Sequence, residues 1–257
     1  MMSALVYETW YLGRRTTMRF LRVPANWISI IFFPLIQLLV FSQLFQQIVQ
    51  LPGFGDQTSY LAYLAPGQIV FAAFLAVAWS GFGLLVEYRT GYMDKLRAMP
   101  TQRWSILAAE MVPVFFQAAA MAGIILVISV ILGAEIATGI PGFLLILVLA
   151  GLFGLALAGI SFIPALVTKS EQATSTFSLL LFPVVFMSTA FVPVEVMPDW
   201  MRVVNDWNPI SYLIEAIRAI MVTGFDWTLI GQALLSMAVI GVILQAGTLW
   251  AFGRLAR

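Results

Sequence analysis

The sequence predicts an all-α integral membrane protein with six transmembrane helices and both termini in the cytoplasm. Three observations carry that prediction. First, 61% of the 257 residues are hydrophobic and only 10% are charged, against roughly 25% charged in soluble domains. A chain this apolar is dissolved by lipid, not water. Second, the charges leave six charge-free runs, at 23–55, 57–86, 111–134, 136–168, 172–194 and 227–253, each of 23 residues or more. A helix of about 20 residues crosses the roughly 30 Å hydrocarbon core of a bilayer. The short alternating segments of a membrane barrel are not seen. Third, an even number of spans puts both termini on one side, and eleven of the thirteen Lys and Arg fall there. Only Arg202 and Arg218 fall on the other side. The positive-inside rule makes the first side cytoplasmic.

The N-terminal residues 1–22 place Arg14, Arg15, Arg19 and Arg22 on one arc of a helical wheel, with Leu5, Val6, Trp10, Leu12, Phe20 and Leu21 mostly opposite. This is the pattern of an amphipathic helix lying in the inner interface; a basic flank that only sets topology is the plainer alternative. A cleavable signal peptide is not expected, because the apolar run is too long and no small-x-small site follows it. The spans are expected at about 27–48, 61–86, 104–132, 142–167, 172–192 and 227–252. Five of them hold a proline (Pro34, Pro66, Pro113, Pro164, Pro183), which membrane helices tolerate. Span 4 carries Ala150, Gly154 and Ala158 at four-residue spacing, a face that lets another helix approach closely, within the chain or across a dimer.

The connections are unequal. Between spans 2 and 3, Glu87 to Trp104 is the densest run of charge in the middle of the chain. Thr101 can cap span 3, leaving roughly Thr90–Met99 as a short cytoplasmic helix cut off by Pro100. Tyr92, Met93, Leu96 and Met99 form an apolar stripe on it, while Asp94, Lys95 and Arg97 point elsewhere. A solvated turn whose charges enforce topology is the alternative. On the outer side, 193–224 is more than a loop. Pro198 can open a short helix with Trp200, Val203, Val204 and Trp207 on one face. Asn208 then caps a second helix with Pro209 at its first position, and Gly224 ends it. Ile210, Leu213, Ile214 and Ile217 face one way; Ser211, Glu215 and Arg218 face the other, with Glu215 and Arg218 spaced to pair. Neither helix is long enough to span, so the two are expected as a re-entrant pair at the outer leaflet.

The residue inventory removes several chemistries. There is no Cys and no His, so thiolate, imidazole and His-ligated metal catalysis are absent, and no metal site is expected. The aspartates all lie between spans, where an intramembrane aspartyl protease cannot use them. No ionisable residue sits at the centre of any span, which an ion-coupled transporter would need. Glu110, about six residues into span 3, comes nearest; it reads as an interface-level carboxylate. There is no GxxxxGK[ST] motif, so the chain does not hydrolyse ATP itself. A net charge of +1 gives no sign of nucleic acid.

Glu87-x-Arg89-x-Gly91, followed by Leu96 and Pro100, resembles the pattern after the second span of ABC-2 type exporter permeases. Phe191-Val192-Pro193, Met197-Pro198-x-Trp200, Asn208-Pro209-Ile210-Ser211-Tyr212, Glu215 and Arg218 resemble the signature before their last span. The resemblance covers essentially the whole chain as one domain, 1–257. It is strongest to permeases of daunorubicin/doxorubicin-resistance exporters and the related nodulation-factor and polysaccharide exporters. It implies a permease that pairs with a second copy or a related permease and binds two ABC ATPase subunits, which carry ATP and Mg. Residues 88–100 would be the coupling helix, with Glu87, Arg89, Gly91, Leu96, Arg97 and Pro100 as its coupling positions. Pro193, Pro198, Trp200, Asn208, Pro209, Tyr212, Glu215 and Arg218 would belong to the external helices that shape the exit. An amphipathic drug, a lipid or a glycoconjugate would leave the cell through the plasma or inner membrane. An ion-coupled secondary transporter and a non-transporting scaffold are the alternative functions.

Overall fold

The computed structural model describes residues 24–47, 59–91, 103–180 and 182–255, with Met18. The expected interfacial helix over 1–22 and residues 92–100 of the expected coupling helix lie outside the described residues, apart from Met18. Among the described residues the fold is all helical: α1 (Pro24–Leu44), α2 (Tyr60–Arg89), α3 (Arg103–Ile131), α4 (Gly139–Leu157), α5 (Gly159–Thr168), α6 (Glu171–Leu180), α7 (Phe182–Phe186), α8 (Asp199–Asp206), α9 (Pro209–Val222) and α10 (Trp227–Leu255).

Among the described residues, four helical stretches are long and apolar enough to cross a membrane: Tyr60–Val86, Ala109–Ile131, Gly139–Thr168 and Trp227–Arg254. A shorter apolar helix runs over Ile30–Leu44. The central element is α2. It is apolar around its whole circumference, so it has no polar face to turn outward. Every residue from Tyr63 to Ala78 is buried. Around it stand α1, α3, α4, α5, α6 and α9, while α10 packs on α4, α5 and α9 from outside. Between membrane helices the driving force is close packing rather than water expulsion. Span 4 shows how that packing is reached. A Cβ on Gly154 would lie 2.6 Å from Ala118 Cβ and 3.1 Å from the Val114 carbonyl, and one on Gly151 would strike the Phe115 ring. The small-residue face is therefore an intrachain contact between α4 and α3. An aromatic column closes the opposite side: Phe182 packs edge-on to Phe71 at 5.2 Å and Phe186 stacks on Phe191 at 5.1 Å.

One expected span is locally irregular and another ends early. Span 4 runs as one stretch over Gly139–Thr168, with a single irregular turn at Ala158, still in right-handed helical conformation, dividing α4 from α5; there Gly159 lies against the Leu244 backbone of α10. Just beyond that turn, Ser161 Oγ accepts from the Gly81 N–H at 2.8 Å and donates to the Ala78 carbonyl at 3.1 Å. Ser178 of α6 donates to the same carbonyl. The expected span 172–192 is described as α6 and α7, with residue 181 between them outside the described residues, and the helix ends at Phe186, short of the expected 192. Where the helix stops, Ser188 Oγ donates to the Val185 carbonyl at 2.5 Å. The following turn is pinned to α2. Tyr60 and Tyr63 donate their hydroxyls to the Phe191 and Thr189 carbonyls at 3.0 and 3.1 Å. Gly67 lets it approach, since a Cβ there would sit 2.5 Å from the Ala190 carbonyl.

Candidate functional site

The polar residues of interest gather at the two ends of the bundle. At the end of α2, Gly91 adopts φ +67°, the left-handed conformation that releases a helix at its C-terminus. Thr90 Oγ1 donates to the Val86 carbonyl at 2.9 Å in the last turn. Arg89 is an ion-pair donor to Glu171 at 2.8 Å, binding the end of α2 to the start of α6. Beside it Lys169, itself left-handed at φ 54°, lies 4.7 Å from the centre of the Tyr88 ring. Of the expected coupling positions, Arg89 and Gly91 thus sit together at the helix exit. Glu87 is on the last turn of α2, and Leu96, Arg97 and Pro100 lie outside the described residues. Glu171 and Lys169 were not singled out by sequence; their only signal was that they interrupt an apolar run. Glu110 is buried on α3 rather than at a surface.

At the other end, the capping chemistry read from the sequence is in place. Asn208 accepts from the Ile210 N–H at 3.0 Å and its amide donates to the Val184 carbonyl at 2.7 Å. Pro209 occupies the first turn of α9. Pro198 precedes α8, and Pro193 precedes the 3-10 turn Val194–Val196. Arg202 staples that turn: its Nε donates to the Val194 and Met197 carbonyls at 3.1 and 2.9 Å. Ser211 donates to Asn205 at 2.5 Å and Tyr212 to the Asp206 carbonyl at 2.7 Å, so α8 and α9 are bound as a unit. The apolar face of α8 points away from the bundle, with Trp200 60% and Trp207 85% exposed.

The polar face of α9 is partly enclosed. Ser211 and Arg218 are buried, because α9 packs on α10, α2 and α4. They border a cavity of about 350 Å³ whose lining includes Tyr63, Thr189, Glu195, Asp206, Glu215 and Arg218. Arg218, 8% exposed, pairs with Glu215 as its spacing allows. It also donates to the Thr189 and Tyr63 carbonyls at 2.7 and 3.4 Å and lies 4.0 Å from the centre of the Tyr63 ring. A buried guanidinium is stable only when its charge and its N–H groups are met in this way. Thr189, Tyr63 and Glu195 were missed as site residues. They come from three separate elements, and nothing in their local sequence marks them.

Membrane-length apolar helices, with a charged clamp at one end and a polar cavity at the other, define a polytopic helical membrane protein. More particularly, the chain belongs to the ABC-2 type transporter family, whose profile matches residues 7–222. It is 28% identical over 221 residues to the daunorubicin resistance ABC transporter permease protein DrrB1 of Streptomyces coeruleorubidus, covering 85% of this chain and 75% of that one. It is 28% identical over 218 residues to the putative transport permease ycf38 of Cyanophora paradoxa, covering 83% and 73%. It is 23% identical over 190 residues to the probable multidrug ABC transporter permease YbhR of Escherichia coli, covering 73% of this chain and 51% of that relative.

Proposed function

We propose that this chain is the transmembrane permease subunit of an ATP-driven exporter that moves an amphipathic drug, lipid or glycoconjugate out of the cell. The observation that carries the reading is the family match over 7–222 in a chain with no ATP-binding motif of its own. Energy then enters from a partner. In this reading two ABC ATPase subunits bind the cytoplasmic face of a permease pair in the cell membrane. The chain crosses six times, through α1, α2, α3, α4 with α5, α6 with α7, and α10, with both termini inside. Residues 88–100 form the coupling helix, and α8 and α9 form the external gate.

The Arg89–Glu171 pair supports a mechanical route. A push on the coupling segment reaches the end of α2 and, through Glu171, the start of α6. From there Ser178 and Ser161 join α6 and α5 back to the Ala78 carbonyl of α2. The test is co-purification with a Walker A subunit, repeated with Leu96→Asp. A carboxylate at an apolar docking contact is costly to bury, so the variant should insert normally and lose the ATPase. Undiminished capture of the ATPase by Leu96→Asp contradicts the coupling assignment.

A further inference from the structure

We propose that a hinge layer crosses the bundle near the Arg89 end of α2, and that the helix segments beyond it swing as one unit against the main core. Two independent observations place this layer. The first is packing. The buried apolar residues fall into two groups. The main core takes in α2 as far as Val77, span 4 as far as Phe162, and α10 with Leu244 at its edge. The smaller group holds Leu84 and Leu85 of α2, Ala165 and Leu166 of α5, and Ala251 and Phe252 of α10. Three helices therefore leave one core and enter the other, across 78–83, 163–164 and 245–248. Close approaches put these segments at one level. A Cβ on Gly81 would lie 2.5 Å from the Ser161 carbonyl oxygen, and one on Gly247 would lie 2.9 Å from Ile163 Cδ1.

The second observation is hydrogen bonding. In this layer side chains reach the helix carbonyls. Ser80 Oγ donates to the Val77 carbonyl at 2.8 Å, and Ser161 and Ser178 both donate to the Ala78 carbonyl at 3.1 Å. Gln245 Nε2 donates to the Leu155 carbonyl at 2.6 Å, and Thr248 Oγ1 to the Leu244 carbonyl at 2.8 Å. Side chains bonded into the ladder bend helices. Pro164 adds to this, having no N–H for the Ile160 carbonyl, and the irregular turn at Ala158 lies on the same span. A carbonyl that already holds a side-chain donor stays satisfied when its helix bends, which removes the main cost of opening the ladder in lipid. Beyond the layer the smaller unit is tied together by Arg89–Glu171 and by Lys169 against Tyr88. From Gly81 to Arg89, at about 1.5 Å per residue, α2 forms a lever of about 12 Å, so a bend of about 20° moves its end by roughly 4 Å. The hinge rests on packing and hydrogen bonds; that ATP works it rests on the exporter reading.

Distances between paired spin labels, read by electron paramagnetic resonance on the full chain in phosphatidylcholine nanodiscs, test the hinge. The labels are carried on p-acetylphenylalanine at exposed positions: Val167 with Gly253 beyond the layer, Val127 with Leu235 in the main body, and Val127 with Gly253 across the layer. Labelled copies are diluted with unlabelled chain, so that only distances within one copy are read. In the permease alone, the crossing pair should give a broader distribution than either same-side pair. With the co-purified ATPase subunit and ATP trapped by vanadate, the crossing distance should shift by a few Å while the same-side distances hold. The chain has no cysteine, so a staple can be added cleanly. Trp79→Cys and Gly83→Cys lie four residues apart, at an exposed side chain and at a Cβ position with nothing within 4 Å. Joining them with a short bifunctional thiol reagent should narrow the crossing distribution and abolish the shift. The same staple between Val239→Cys and Ile243→Cys, within the main body, should do neither. A crossing distribution as narrow as the same-side ones, one left broad by the Trp79–Gly83 staple, or same-side distances that shift as much as the crossing one, overturns the proposal. If the crossing distances are broad and staple-sensitive but ignore ATPase and nucleotide, the exporter reading falls and the hinge stands.

Discussion

Replacing Arg218 by Ala should be among the most damaging single substitutions in the described chain. The side chain is buried and makes an ion pair with Glu215, donates to two backbone carbonyls, and lies against the Tyr63 ring. Removing it leaves Glu215 without its counter-charge and two carbonyls facing a cavity. Breaking one partner of a buried pair costs about 3–5 kcal/mol, and the lost ring contact accounts for roughly 1–2 kcal/mol of comparable losses elsewhere. The reverse truncation, Glu215→Ala, should cost less, because the Glu215 side chain is 38% exposed against 10% for Arg218. Thermal unfolding in detergent, followed by the fluorescence of the eight tryptophans, reads the difference. The Arg218→Ala midpoint should fall on the order of 10 °C, converting by the usual size scaling. Arg218→Lys should recover only part of it, since an ammonium cannot span both carbonyls and the carboxylate as the fork does. A midpoint for Arg218→Ala within a degree or two of the parent would refute the burial argument.

Three further outcomes follow from the geometry. Gly91→Val forces a branched residue into left-handed backbone at φ +67°, so it should cost about 1–2 kcal/mol and re-aim the chain toward Leu96; ATPase capture should fall with it. Gly154→Leu should destabilise the α3–α4 contact by roughly 1–3 kcal/mol, since even its Cβ meets Ala118 at 2.6 Å; the same thermal assay measures it. The Arg89–Glu171 pair is half exposed, so a double-mutant cycle should find a coupling energy of at most about 1 kcal/mol in stability. Its effect should show in transport instead: Arg89→Glu or Glu171→Arg alone should impair ATP-driven export, and the swapped double variant should restore it.

Much of this architecture was legible because the sequence patterns that encode it are local. A long charge-free run means a long apolar helix, and α2, α3 and α10 appear where those runs lie. The α9 start is equally local, since Asn208 and Pro209 act on the backbone beside them, and Glu215 meets Arg218 because helix geometry places them together. What was missed is non-local. Span 4 runs through Ala158 as expected, but nothing near that residue announces the irregular turn there. Its surroundings are tertiary: Ser161 turned to the α2 backbone and Gly159 against α10. Nothing near Phe186 marks the early end of the fifth span, where Ser188 bonds back and the turn is drawn onto Tyr60, Tyr63 and Gly67, more than a hundred residues earlier. The wheel of α9 separates polar from apolar correctly, yet it cannot say that the polar side faces a cavity closed by Tyr63 and Thr189. That cavity exists only once three distant segments have met.

The claim on which the rest depends is that energy comes from a separate ATPase. Inside-out vesicles carrying the permease with its co-purified ATPase subunit, loaded with a fluorescent amphiphile outside, test it directly. Accumulation should require ATP and both subunits, disappear with Leu96→Asp and be indifferent to collapse of the proton gradient. Accumulation by the permease alone under an imposed proton gradient, with no ATPase present, would contradict it.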